Sequence, residues 1–113
     1  MSKKFNQPVP EEIRDRLVHA YADANHAHYV YTCMIDNLMT NGDVRLIGIV
    51  PMPHEMYKNL SLDEKEKLTN QRDVAISYYE NYLNEYSEYF TDDYRGGIEA
   101  IINEIKNKVD TGE

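Results

Sequence analysis

From Glu11 to Met39 the chain has no Gly or Pro, and its apolar residues recur in alternating steps of 4 and 3: Ile13, Leu17, Ala20, Ala24, Ala27, Tyr31, Met34 and Leu38. A mean spacing of 3.5 residues keeps these side chains on one stripe of an α-helix, the pattern of a helix packed lengthwise on another helix. Pro10 suits the first helical position, and Glu11 and Glu12 suit the electropositive first turn. Thr40-Asn41-Gly42-Asp43 ends the pattern, with Gly42 as a left-handed cap. The spacing therefore predicts a helix over residues 10–39, whose central alanines let a second helix come close.

Ser61 to Phe90 supplies that second helix. Ser61 and Glu64 form a capping-box pattern, in which the serine hydroxyl accepts from the first turn and the carboxylate reaches back to the Ser61 N–H. Ile76, Tyr79, Leu83, Tyr86 and Phe90 then repeat in steps of 3, 4, 3 and 4, a core-facing seam on a helix over 62–90. Tyr78, Asn81, Glu85 and Glu88 fall opposite that seam, with Tyr82 and Tyr89 on its flank. Tyrosine has an apolar body and a polar tip, so it suits both the margin of a core and a binding face.

A third helix is expected over 97–109, where Ile98, Ile101, Ile102, Ile105 and Val109 make an amphipathic stripe. Thr91, Asp92 and Asp93 look like an earlier helix start, but Gly96-Gly97 disfavours it, which leaves a turn through Arg95-Gly96. Val44 to Val50 has strand character and no second such run to pair with, so 44–52 reads as an extended linker, the alternative being an edge that pairs with another copy. A short helical turn is expected near 53–59, and residues 1–9 read as a flexible arm before a single helical domain over 10–113. The expected fold is all-α: three main helices in an antiparallel bundle. Two helices of about 30 residues extend roughly 45 Å. The third is too short to cover both, which points to a homodimer or a partner protein.

At 113 residues the chain is long enough for one core without staples. The single cysteine, Cys33, rules out an internal disulfide and fits a reducing compartment. No apolar run reaches the length of a membrane span, and the first ten residues lack the apolar segment of a secretory signal, so a cytoplasmic protein is expected. Asp73 to Glu104 holds eight acids against one base, Arg95, and so carries −7 of the net charge of −8. Nucleic acid and acidic membrane surfaces both attract basic groups, so neither is an expected direct partner. A basic protein is.

Catalytic and metal chemistry find little footing. His19, His26 and Cys33 share a stripe at intervals of 7, about 10.5 Å apart along a helix, too far for one metal. Asp23 can join His19 or His26, but that makes only two ligands. Cys33 lies mid-helix, away from a helix start that would activate its thiol. No nucleophile elbow, phosphate loop or dinucleotide fingerprint occurs. The expectation is a non-enzyme with no metal and no cofactor. Arg95, Gly96 and Gly97 at a helix start are a weak anion site, opposed by Asp92, Asp93 and Glu99.

The function these residues point to is a small acidic protein-binding module, an inhibitor or adaptor, docking on a basic host protein. Its expected contact residues are Tyr78, Asn81, Tyr82, Glu85, Glu88, Tyr89, Asp92 and Asp93. In size, charge and tyrosine content the chain is similar to small phage or mobile-element proteins that block host defence or nucleic-acid enzymes, some by mimicking nucleic acid. No motif carries that likeness to a particular family. Two other classes stay open: an oligomeric binder or sponge for an anionic or nucleotide-like ligand, using Arg14, Arg16 and Arg95, and a structural subunit of a larger assembly.

Overall fold

The computed structural model describes residues 4–40 and 51–112. Among them the chain is mostly helical and holds no strand: α1 spans Glu11–Thr40, α2 His54–Lys58, α3 Leu62–Tyr86 and α4 Asp92–Lys106, with a 3-10 turn at Ser87–Tyr89 between the last two. The two long helices, α1 and α3, pack against each other, and α4 packs on α3. The molecule measures 49 × 28 × 25 Å, its long axis matching a 30-residue helix of about 45 Å.

Local chemistry sets most of the boundaries. The capping box forms as the sequence predicts: Ser61 Oγ accepts from Glu64 N at 3.1 Å, and Ser61 N donates to Glu64 Oε1 at 3.0 Å. On α1 the stripe Leu17, Ala24, Ala27 and Tyr31 is buried as expected, but near the C-terminal end the buried apolar residue is Ile35, with Asp36 buried beside it, and Met34 is only half-buried. The segment Val44–Val50 lies outside the described residues, as does Gly42.

Two expectations are corrected. The last helix begins at Asp92 rather than at residue 97 and ends at Lys106 rather than 109. Thr91 caps it, its Oγ1 accepting from Tyr94 N at 3.2 Å, and the Arg95 N–H donates to Thr91 O at 3.0 Å. Gly96 and Gly97 sit inside the helix with open space where a Cβ would be. Each costs about 1 kcal/mol relative to alanine. Burying Ile98, Ile102 and Ile105 stabilises by about 1.5–3 kcal/mol apiece and outweighs that cost. Val109 is still buried, but beyond the helix, paired with Met52: Met52 N donates to Lys108 O at 2.8 Å and Asp110 N to Met52 O at 2.9 Å.

The second correction concerns the seam of α3. Its buried residues are Leu68, Ala75, Tyr79, Tyr82 and Tyr86, whereas Ile76 and Leu83 are half-buried. Tyr82, expected on the flank, is core at 2% exposure. It has neighbours on two sides: the Tyr21 ring of α1 at 5.4 Å and the Tyr94 ring of α4 at 6.4 Å. A helix packed against two others buries a wider arc than the stripe for a single partner.

Of the expected arm, residues 4–7 lie along the α3–α4 junction. Asn6 N donates to Tyr89 O at 2.9 Å, Thr91 N donates to Lys4 O at 3.1 Å, and Phe5 pairs antiparallel with Phe90.

Candidate functional site: the outer face of α3 and its continuation into α4

Tyr78, Asn81 and Glu85, three and four residues apart, share the outward face of α3 and are exposed. Asp73, Val74 and Ser77 extend that face one turn towards the N-terminus and complete a shallow groove with Tyr78 and Asn81, about 320 Å³ in volume. Val74 at 43% and Tyr78 at 44% exposure give it an apolar patch inside acidic surroundings. Beyond the helix, Glu88 is exposed on the 3-10 turn, and Asp92 and Asp93 are exposed in the first turn of α4. Tyr89 is half-buried.

Six of the expected contact residues thus stay on the surface: Tyr78, Asn81, Glu85, Glu88, Asp92 and Asp93. Tyr82 is removed from that set by its burial. Its hydroxyl bonds that of Tyr94 at 2.8 Å, and burial, reinforced by that hydrogen bond, drives its ionisation far above the ordinary tyrosine range. Tyr79 is likewise internal, donating to Asn25 Oδ1 at 2.6 Å, and burial pushes its pKa up to about 12. These phenols are structural hydrogen-bonding groups, not bases.

The anion site expected at Arg95, Gly96 and Gly97 is also corrected. Free N–H groups occur only in the first turn of a helix, and these residues lie past it: the Arg95 N–H is already engaged by Thr91 O. The Arg95 guanidinium pairs with Asp92. Among the described residues no three His, Cys, Asp or Glu side chains converge on a point that can hold a metal ion. No helix is long and apolar enough to cross a membrane among those residues.

A second groove, between α3 and α4, was not legible in the sequence because its two walls are far apart in the chain. Glu80 and Asn84 line one side and Glu99, Asn103 and Lys106 the other, enclosing about 330 Å³. Glu80 on α3 and Glu99 on α4 add acidic groups to this groove.

His28 marks a different kind of position. It projects from α1 edge-on to the Tyr79 ring, with centroids 6.0 Å apart, and its Nε2 is buried without a hydrogen-bond partner among the described residues. Burial lowers its pKa below 6.5, the Lys108 charge lowers it further, and Glu104 opposes both. The unfolded chain therefore takes up a proton at a higher pH than the folded one does. Stability is full above pH 6.5 and declines as pH falls from there towards the lowered folded value. His28→Gln is expected to flatten this slope between pH 7 and 5 in urea titrations followed by circular dichroism. Equal slopes for the two proteins would dismiss His28 as its source.

Set beside known protein families, curated proteins and solved structures, the chain has no match in any of the three.

Proposed function

We propose that the protein is a small acidic protein-binding module, an inhibitor or adaptor, that acts by docking on a basic partner and not by catalysis. The observation that carries this reading is the outward stripe Tyr78–Asn81–Glu85 on α3, together with the exposed Glu88, Asp92 and Asp93 that follow it in the chain. Together they offer an exposed aromatic anchor and five exposed polar or acidic groups, and the two arginines beside them are paired, Arg95 with Asp92 and Arg72 with Asp73. Exposed tyrosine supplies anchoring area, while carboxylates accelerate encounter with a basic surface and set its orientation. A cleft shaped for nucleic-acid phosphates is a fitting target, because carboxylates spaced along helices can take the places of phosphates. The reading includes a cytoplasmic homodimer and an antiparallel arrangement of α1 and α3. The latter is supported by contacts in which rising positions of α1 meet falling positions of α3: Tyr21 with Tyr82, Asn25 with Tyr79, Ala27 with Gln71.

The test pairs charge reversal with salt. Wild-type protein on a resin is expected to hold a basic protein from cell lysate at low ionic strength. It should release that protein as salt approaches 1 M, where the Debye length falls to about 3 Å. Tyr78→Ala combined with Glu85→Lys is expected to weaken capture by about tenfold or more. Its unfolding midpoint should stay at the wild-type value, since both side chains are exposed. Capture indifferent to both salt and charge reversal would refute the reading.

A further inference from the structure

The backbone from Glu88 to Thr91 already holds a peptide, the chain's own Lys4-Phe5-Asn6-Gln7. The pairing is strand-like, with Asn6 N donating to Tyr89 O and Thr91 N to Lys4 O, at 2.9 and 3.1 Å. Side chains add specificity. Asn6 Nδ2 donates to Phe90 O at 3.0 Å, and Gln7 Nε2 donates to Glu88 O at 3.1 Å. The Phe5 ring packs 6.1 Å from both Phe90 and Tyr94, and the Lys4 ammonium sits 5.9 Å from the centre of the Tyr94 ring. Each feature of this segment has a counterpart on the receiving surface: a cation on an aromatic face, a ring among rings, two amides on two carbonyls. Backbone bonds then supply affinity and side-chain pockets selectivity, as in recognition by strand addition.

Lys4, Asn6 and Gln7 are exposed and Phe5 is only half-buried, whereas Phe90 beneath it is fully buried. A segment of mostly exposed residues with one half-buried anchor belongs to the part of a fold that opens most readily. The surface it covers borders Glu88, Asp92 and Asp93, so a basic ligand is also favoured by charge.

We propose that the edge formed by residues 88–94 is a peptide-binding site for extended basic–aromatic–amide segments of a partner protein, and that residues 4–7 occupy it as an intramolecular competitor. The basic character of the partner rests on the function proposed above. The shape and hydrogen-bond code of the site rest on residues 4–7 alone. A competitor in the same chain lowers apparent affinity by the fraction of time the site is closed, and a partner that displaces it gains the whole edge.

The test uses the full-length chain and a fluorescent peptide with the sequence of residues 2–9, Ser-Lys-Lys-Phe-Asn-Gln-Pro-Val. By fluorescence anisotropy, full-length Phe5→Ala is expected to bind this peptide at least about tenfold more tightly than wild type, because its own segment competes poorly. A peptide carrying the same Phe5→Ala change is expected not to bind. Equal affinity for the two proteins, or no binding to a Phe5→Ala protein that keeps its helical circular dichroism, would overturn the proposal. Hydrogen exchange on wild type gives a check that needs no variant. The amides of Asn6 and Thr91 are expected to exchange about a hundredfold faster than those of Tyr79 and Tyr82. Equal protection would mean that the segment never leaves and would also overturn it. The peptide assay contains no partner, so its failure leaves salt-dependent capture standing, and a salt-insensitive capture leaves the peptide result standing.

Discussion

Tyr82→Ala is expected to destabilise the protein by about 3–5 kcal/mol, the range for removing a large buried aromatic side chain. Tyr82 is 2% exposed and stands where three elements meet. Its ring lies 5.0 Å from Phe90, 5.4 Å from Tyr21 of α1, 6.0 Å from Tyr86 and 6.4 Å from Tyr94 of α4. Truncation leaves a cavity that four rigid rings cannot close, and it strands the Tyr94 hydroxyl, whose partner at 2.8 Å is lost. Tyr82→Phe keeps the ring and removes only the hydroxyl, so its expected cost is smaller, about 1 kcal/mol. Tyr78→Ala, on the exposed face of the same helix, is expected to fall within about 0.5 kcal/mol of wild type. Urea unfolding followed by circular dichroism orders the three. A Tyr82→Ala protein as stable as Tyr78→Ala would mean that the aromatic cluster is not the centre of the core.

Ala24→Leu carries the second large effect, an expected loss of about 1–3 kcal/mol from overpacking. Ala24 and Ala75 have no exposed surface, and Ala27 has 5%. Between these small residues α1 and α3 approach closely enough for side chains to bond across: Tyr79 Oη reaches Asn25 Oδ1 at 2.6 Å, and Gln71 Nε2 reaches Ala27 O at 3.0 Å. Three added carbons at position 24 have no space to enter, so either the leucine leaves its preferred rotamer or the helices separate and stretch both hydrogen bonds. Ala22→Leu, two residues away on the exposed side, is the control and should leave the midpoint near wild type. A tolerated leucine at position 24 would place the alanine stripe away from the helix contact.

Glu85→Lys and Phe5→Ala are expected to act on the proposed binding and to leave the core residues just described in place. The first reverses a charge on an exposed helix face; the second removes a half-buried ring that lies over Phe90. Neither residue draws attention in a hydrophobic pattern. The exposure of Glu85 follows from its helical spacing to Tyr78 and Asn81, whereas Phe5 lies in a segment with no periodicity to read.

What the amino-acid sequence determined by itself was whatever neighbouring residues decide. The span of α1 followed from an unbroken apolar period, the start of α3 from Ser61 and Glu64, and the short helix at His54–Lys58 from Pro53 and the residues after it. Each is set within a few residues, where hydrogen bonds and sterics act directly. The tertiary structure decided questions whose energies come from distant partners. Gly96 and Gly97 weigh against a helix locally, but burying the isoleucines of α4 against the core outweighs them. Tyr82 looked amphipathic enough for a flank, but it faces two helices at once, and only their joint placement makes its position interior. Residues 4–7 carry no recurring pattern, and their place beside Tyr89 and Thr91 exists only once α3 and α4 have brought that edge into position. Periodicity reports one partner per helix; the widened core, the buried tyrosines and the bound N-terminal segment all depend on a second.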